Sequence, residues 1–160
     1  MKDNIIFEND TYVCHIENNH ICSRLKEISF ELNDFFKNKK NILIIGVLDG
    51  CIKVLDEIRK NLNIDYSVEY MNISSYKGKN RGDIKQTFTK NINFKNKNVI
   101  IVDDIIDSGK TILFIKRKIE KYNPRTIKTV SLLVRKNSKY LFDWYGFEIK
   151  NKYVIGYGMD

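Results

Sequence analysis

Ile21, Leu25, Ile28, Leu32 and Phe35 in the segment ICSRLKEISFELNDFF recur at the spacing of one helical face and predict an amphipathic helix over 21–36. The next apolar block, NILIIGV at 41–47, has no polar gaps and reads as a short strand buried on both sides. After Leu48-Asp49-Gly50, CIKVLDEIRKNL predicts a second helix over 51–62. IDYSVEYMNIS (64–74) alternates enough for a strand. SYKGKNRGD (75–83) is polar and glycine-bearing, and IKQTFTK (84–90) suits a returning strand. A strand at 98–103 follows, then a helix at 111–122 that Pro124 stops, and a strand at 126–134. WYGFEI and YVIGYG in the tail predict two more short strands.

Strands separated by helices need crossover connections. The expected fold is therefore α/β, a mostly parallel twisted sheet covered by helices on both faces. Ligands in such sheets bind beyond the carboxyl ends of the strands. With 160 residues, a single proline and no linker-like stretch, residues 1–160 are expected to form one domain.

Composition changes this picture little. A hydrophobic fraction of 42% suits a packed core, and no apolar run is long enough to span a membrane. MKDNIIFEND lacks the features of a secretory signal, so a soluble cytoplasmic protein is expected. Cys14, Cys22 and Cys51 show no paired spacing, and His15 and His20 miss the register of a two-histidine zinc site. The net charge of +8 leans toward anionic ligands, but the lysines are scattered along the chain rather than gathered into an arm or tail.

The chemistry concentrates in NVIIVDDIIDSGKT, residues 98–111. A nucleotide P-loop is excluded, because the glycine it needs five residues before Gly109 is Asp104. An acidic phospho-acceptor pocket usually draws its carboxylates from the first strand and needs one more than this N-terminal stretch supplies. The third reading is a phosphoribosyl site. The start of a helix near Gly109 offers unpaired N–H groups and a positive dipole end for a terminal phosphate. Gly109 permits close backbone approach, and Ser108 and Thr111 add hydroxyl donors. Asp103 and Asp104, adjacent on a strand, point to opposite faces, where their carboxylates can accept from ribose hydroxyls or hold Mg²⁺ through water.

Val102-Asp103-Asp104-Ile105-Ile106-Asp107-Ser108-Gly109-Lys110-Thr111 resembles the PRPP-binding motif of type I phosphoribosyltransferases, in the form seen in the hypoxanthine-guanine branch. The resemblance covers nearly the whole chain. GVLDG (46–50) resembles the pyrophosphate loop, with Asp49 and Gly50 as contacts, and Ser74-Ser75-Tyr76 matches the start of the flexible loop over the active site, with Ser74 and Tyr76 as substrate contacts. LLVR (132–135) resembles the strand carrying a basic purine contact, and YVIGYGMD (153–160) resembles the purine-pocket segment.

This resemblance implies the type I phosphoribosyltransferase fold with a small hood from the chain ends. The implied reaction is transfer of the phosphoribosyl group of PRPP to hypoxanthine or guanine, releasing pyrophosphate, as a step of purine salvage giving IMP or GMP. Asp107 is then the general base at purine N7. Ser108, Gly109, Lys110 and Thr111 hold the 5′-phosphate, Asp103 and Asp104 serve the ribose or Mg²⁺, and Asp160 binds Mg²⁺ or accepts from the purine edge. Arg135, or Lys136 beside it, donates to the 6-oxo group, Tyr153 stacks on the purine and Val154 bonds it through the backbone. A homodimer or homotetramer is implied, with no membrane and no nucleic acid as partners. Three departures stand out: Asp49 where the family often has Lys or Arg, Arg135 in place of lysine, and no residues beyond Asp160, where the family carries an arginine for pyrophosphate. The last leaves open a longer chain, another Lys or Arg in that role, or reduced activity. The competing reading is a phosphoribosyltransferase-like regulator that binds nucleic acid with little or no catalysis.

Overall fold

The computed structural model describes residues 4–7, 10–75, 84–88, 92–136, 138, 142–150 and 153–159. Strands β1 (Asn4–Phe7) and β2 (Asp10–Val13) pair antiparallel apart from the main sheet. Helix α1 (Asn18–Phe36), β3 (Ile42–Leu48), α2 (Cys51–Arg59), β4 (Tyr66–Ser75) and β5 (Ile84–Phe88) follow. The chain continues through β6 (Asn98–Ile106), α3 (Lys110–Glu120), β7 (Thr126–Arg135) and β8 (Trp144–Ile149). The main sheet runs β5-β4-β3-β6-β7-β8, and every pair but β4–β5 is parallel.

The gap-free apolar runs are explained by the two covered faces. On β3 and β6, Ile42, Ile44, Ile100 and Val102 pack under α1 and α2, while Leu43, Ile45, Val99 and Ile101 pack under α3. Alternate side chains of a strand enter opposite layers, so a central strand between two helical layers has no solvent-facing side, and polar residues are left to its two ends, as with Asn98 and Asp103 on β6. β3 and β6 sit side by side in register, Ile42 opposite Asn98 and Gly46 opposite Val102, which brings their carboxyl ends to the same edge.

Several expected boundaries move. Helix α1 starts at Asn18, and its last core residue is Phe36, fully buried. Phe36 lies four residues after Leu32 and so keeps the helical face, whereas Phe35 turns outward beneath Lys39, whose Nζ lies 4.0 Å from its ring centre. Helix α2 ends at Arg59 rather than residue 62, and β5 is antiparallel and ends at Phe88. Strand β6 runs three residues beyond Asp103, because β7 continues to supply partners: Asp103 opposite Ser131, Ile105 opposite Leu133, Ile106 opposite Val134. The expected strand YVIGYG is not one. Gly156, Tyr157 and Gly158 have φ of 92°, 59° and 94°, and a left-handed run of this kind turns the chain instead of extending it. Among the described residues, no helix is long and apolar enough to cross a membrane.

Candidate active site

Beyond the end of β6 the chain makes a turn, Asp107-Ser108-Gly109, and enters α3. Gly109 occupies the N-cap position at φ 77°, a conformation that costs a residue with a Cβ. The first helical bond near this end runs from the Leu113 N–H to the Gly109 carbonyl, so the N–H groups of Thr111 and Ile112 precede it without intrahelical acceptors. Ser108 Oγ lies 3.5 Å from the Lys110 nitrogen. The turn and the first residues of α3 line a cleft of about 200 Å³ together with Asp103, Ile105, Ile106 and Asp107. N–H groups at a helix start and the helix dipole make one wall of this cleft suited to an anion.

Asp103 is only 7% exposed. Burial, followed by the negative charge of Asp104, pushes its carboxyl well above the usual carboxylate range. Its Oδ1 accepts from the Asp104 N–H at 3.1 Å, and Asp104 Oδ1 accepts from the Ile105 N–H at 2.8 Å. Though adjacent on the strand and expected to point to opposite faces, the two carboxyls lie close enough to interact. Asp103 lines the cleft below α3, and the Asp104 carboxylate fills the space left by the missing side chain of Gly50, where a Cβ would stand 1.9 Å from Oδ2. Two crowded carboxylates, one of them buried, form a hard-oxygen donor pair whose repulsion a divalent cation would relieve. Among the described residues, no group of three or more His, Cys, Asp and Glu is placed to hold a metal.

The Leu48–Asp49 peptide, just before α2, is cis. Asp49 is exposed, and Gly50 packs beneath the tail, with a Cβ on Gly158 meeting the Gly50 carbonyl oxygen at 3.3 Å. Cys51 lies buried behind this turn, where burial and then the charges of Asp103, Asp104 and Asp49 push its thiol up to about 12.

Arg135, the last residue of β7, faces the β6–α3 turn. Its Nε lies 3.5 Å from Asp107 Oδ1, and its Nη1 donates to the Lys150 carbonyl at 2.7 Å. The Arg135 side chain is 14% exposed and that of Asp107 is 78% exposed, so a largely buried cation steadies a carboxylate that still faces solvent. Lys136 is exposed and donates its backbone N–H to Ile149. Tyr153 is 72% exposed, with its ring centre 6.5 Å from that of Tyr12 on β2. Val154 packs against the α1–α2 core.

The structure thus gathers Asp103, Asp107, Ser108, Gly109, Lys110 and Thr111 around one cleft, joins Arg135 to Asp107, and sets Asp104 against Gly50. Ser74 lies on β4 opposite Lys85, at the start of the segment leading to β5. Tyr76 and Asp160 fall outside the described residues. Sequence reasoning missed the Arg135–Asp107 pair, the Lys150 carbonyl that anchors Arg135, the meeting of Gly50 with Gly158, and the contact of Tyr12 with Tyr153. The first two join ends of neighbouring strands and the third joins the turn before α2 to the tail, and none carries a local signal. For the tail a local signal was present and passed over: Gly156 and Gly158, alternating in a short run, favour a turn where a strand was expected.

The model of the phosphoribosyl transferase domain family matches residues 16–160. The chain belongs to the phosphoribosyl transferase family. Among its relatives, the hypoxanthine phosphoribosyltransferase of Buchnera aphidicola is 32% identical, the match covering 86% of this chain and 81% of the relative. The hypoxanthine-guanine-xanthine phosphoribosyltransferase of Tritrichomonas foetus is 30% identical, with 88% and 79% covered. A crystal structure of a hypoxanthine-guanine phosphoribosyltransferase from Bacillus anthracis superposes with a TM-score of 0.81 at 28% identity, over 91% of this chain and 87% of the other. These likenesses place this phosphoribosyltransferase in the hypoxanthine-guanine branch.

Proposed function

We propose that this protein transfers the 5-phosphoribosyl group of PRPP to hypoxanthine or guanine, forming IMP or GMP and releasing pyrophosphate, as an enzyme of purine salvage. The observation that carries this is a cleft that places a left-handed glycine and helix-start N–H groups beside a buried carboxylate and an exposed one. The phosphate end of the substrate lies along Ser108–Thr111, where charge is met by dipoles already in place. The ribose hydroxyls fall to Asp103 and Asp104 as acceptors.

In the reaction the bond from C1′ to the pyrophosphate oxygen breaks and a bond from C1′ to a purine ring nitrogen forms. Positive charge develops at the sugar meanwhile, and the acids beneath it stabilise that charge. Asp107 takes a proton from the purine edge at N7, a role typically worth roughly 10²–10⁴ in rate. Arg135 holds Asp107 in place, and it or Lys136 donates to the neighbouring 6-oxo group. Adenine, with a donor at that position, is disfavoured because two donors would face each other. Tyr153 supplies an exposed ring for stacking on the base, and Val154 supplies backbone bonds. Mg²⁺, held by Asp103, Asp104 and Asp160 with substrate oxygens, would neutralise the leaving pyrophosphate.

A homodimer or homotetramer in the cytoplasm is the accompanying expectation, checked by light scattering and by fractionation. The decisive assay follows pyrophosphate release from PRPP with hypoxanthine, guanine, xanthine and adenine in turn. Release with the oxopurines and little with adenine is expected. No release with any base would defeat the proposal.

A further inference from the structure

The opposite end of the sheet carries a different chemistry. In-register pairing of Ile42, Asn98 and Thr126 brings three loops together: the one before β3, the one before β6, and the one between α3 and β7. They are bonded into one surface. Asn98 donates its N–H to Asn41 O at 3.0 Å and its Nδ2 to Lys40 O at 2.7 Å. Asn96 N–H donates to Asn123 O at 3.0 Å, and Arg125 N–H to Lys97 O at 2.7 Å.

This surface presents Lys40, Lys95, Lys97, Lys121 and Arg125, all exposed except the half-buried Lys97. Among the described residues none of the five forms an ion pair. The acids at the same end are fewer. Asp34 is engaged by Lys37 and Asp143 by Lys128, which leaves Asp65 and Glu120. Tyr122, next to Lys121 in the chain, is 57% exposed, and its ring centre lies 5.7 Å from that of the buried Phe94, the residue before Lys95. An exposed aromatic ring packed on a buried one, on a surface that also carries cations without ion pairs, matches the two needs of a single-stranded nucleic acid: charge for phosphates and a flat face for a base. Strand β6 separates this surface from the cleft by its full length, about 26 Å at the usual rise per residue.

We propose that this end of the sheet binds single-stranded nucleic acid, independently of the phosphoribosyl site. The test is fluorescence anisotropy of the whole protein with a labelled short oligouridylate and its DNA counterpart, at constant pH and varied salt. If all five cations meet phosphates, the logarithmic salt slope is about −3.5, and affinity falls about a hundredfold between roughly 50 and 200 mM salt. The double variant Lys95→Gln/Lys121→Gln lowers the slope to about −2. Tyr122→Ala weakens binding roughly 5- to 150-fold through lost stacking. PRPP at matched ionic strength leaves binding intact, and circular dichroism reports that each variant stays folded.

Absence of binding at low salt overturns the proposal. So does displacement of the oligonucleotide by PRPP, which would move it to the cleft, and so does indifference to the double variant. Equal binding to anionic lipid vesicles, unchanged by Tyr122→Ala, also overturns it, since charge alone would then suffice. None of these outcomes bears on pyrophosphate release, so the catalytic proposal stands or falls separately.

Discussion

The two ends of β6 are built on opposite principles. At its carboxyl end, charges are pressed into the fold: Asp103 is buried, Asp104 sits in the hollow of Gly50, and Arg135 is withdrawn from solvent to meet Asp107. At its amino end, lysines extend into water from turns closed by Asn41, Asn96 and Asn123, each left-handed, at φ 58°, 58° and 52°. Asparagine tolerates that conformation through short-range bonding of its side chain, so these turns need little support from the core. The cleft end, by contrast, holds its geometry only because neighbours leave no alternative. A buried carboxylate is costly unless a partner arrives, and in a binding site the partner is the ligand. On the proposed function, the carboxyl end gives up stability for a ligand, while at the amino end exposed charge costs the fold almost nothing.

The largest expected effect is at Gly109. Valine at φ 77° introduces backbone strain of order 1–3 kcal/mol and blocks close approach to the turn, so Gly109→Val should abolish PRPP binding by calorimetry. Retained affinity would mean that the turn does not hold the phosphate. Next is Asp107→Asn, for which turnover should fall roughly 10²–10⁴-fold with PRPP affinity little changed. A variant as fast as the parent would remove the base from the mechanism.

Asp103→Asn tests the cost of the buried charge directly. Because the folded carboxyl titrates above its unfolded value, the protonated acid favours the fold. That contribution is complete below about pH 3.9, the unfolded value, and is lost as pH rises through the folded pKa. The ligand-free variant should therefore match the parent's melting temperature in acid and exceed it at neutral pH, while losing activity. Parallel melting curves at every pH would show that burial of Asp103 carries no penalty.

At the amino end, Asn123→Ala should cost about 1 kcal/mol by denaturant titration, with turnover unchanged. Altered turnover there would mean that the two ends are coupled. Smallest of all is a chemical contrast. Exposed Cys14 should alkylate at mildly alkaline pH while Cys51, its thiol held up to about 12 behind the acidic turn, stays unmodified in the folded protein. Equal labelling rates would show that the turn admits solvent.

Much of this molecule was readable along the chain. The unbroken apolar runs of β3 and β6 declared a sheet covered on both faces, the face Ile21–Leu32 declared α1, and VDDIIDSGKT declared acids followed by a glycine-led helix start. These signals are local: periodicity, capping and the freedom of glycine act within a few residues. The misread segments failed for physical reasons. Strand β6 outlasts its apolar run because β7 goes on pairing with it, and the β-branched look of YVIGYG yielded to left-handed glycines.

Only tertiary structure brought Arg135 to Asp107, Asp104 into the space of Gly50, and Gly158 against the same turn. Only it gathered lysines from three separate loops into one surface, where the sequence shows them scattered. Sequence determines what each segment can form, since sterics and solvation act locally. Which side chains meet depends on strand order and register, settled by the packing of the whole sheet between its helices.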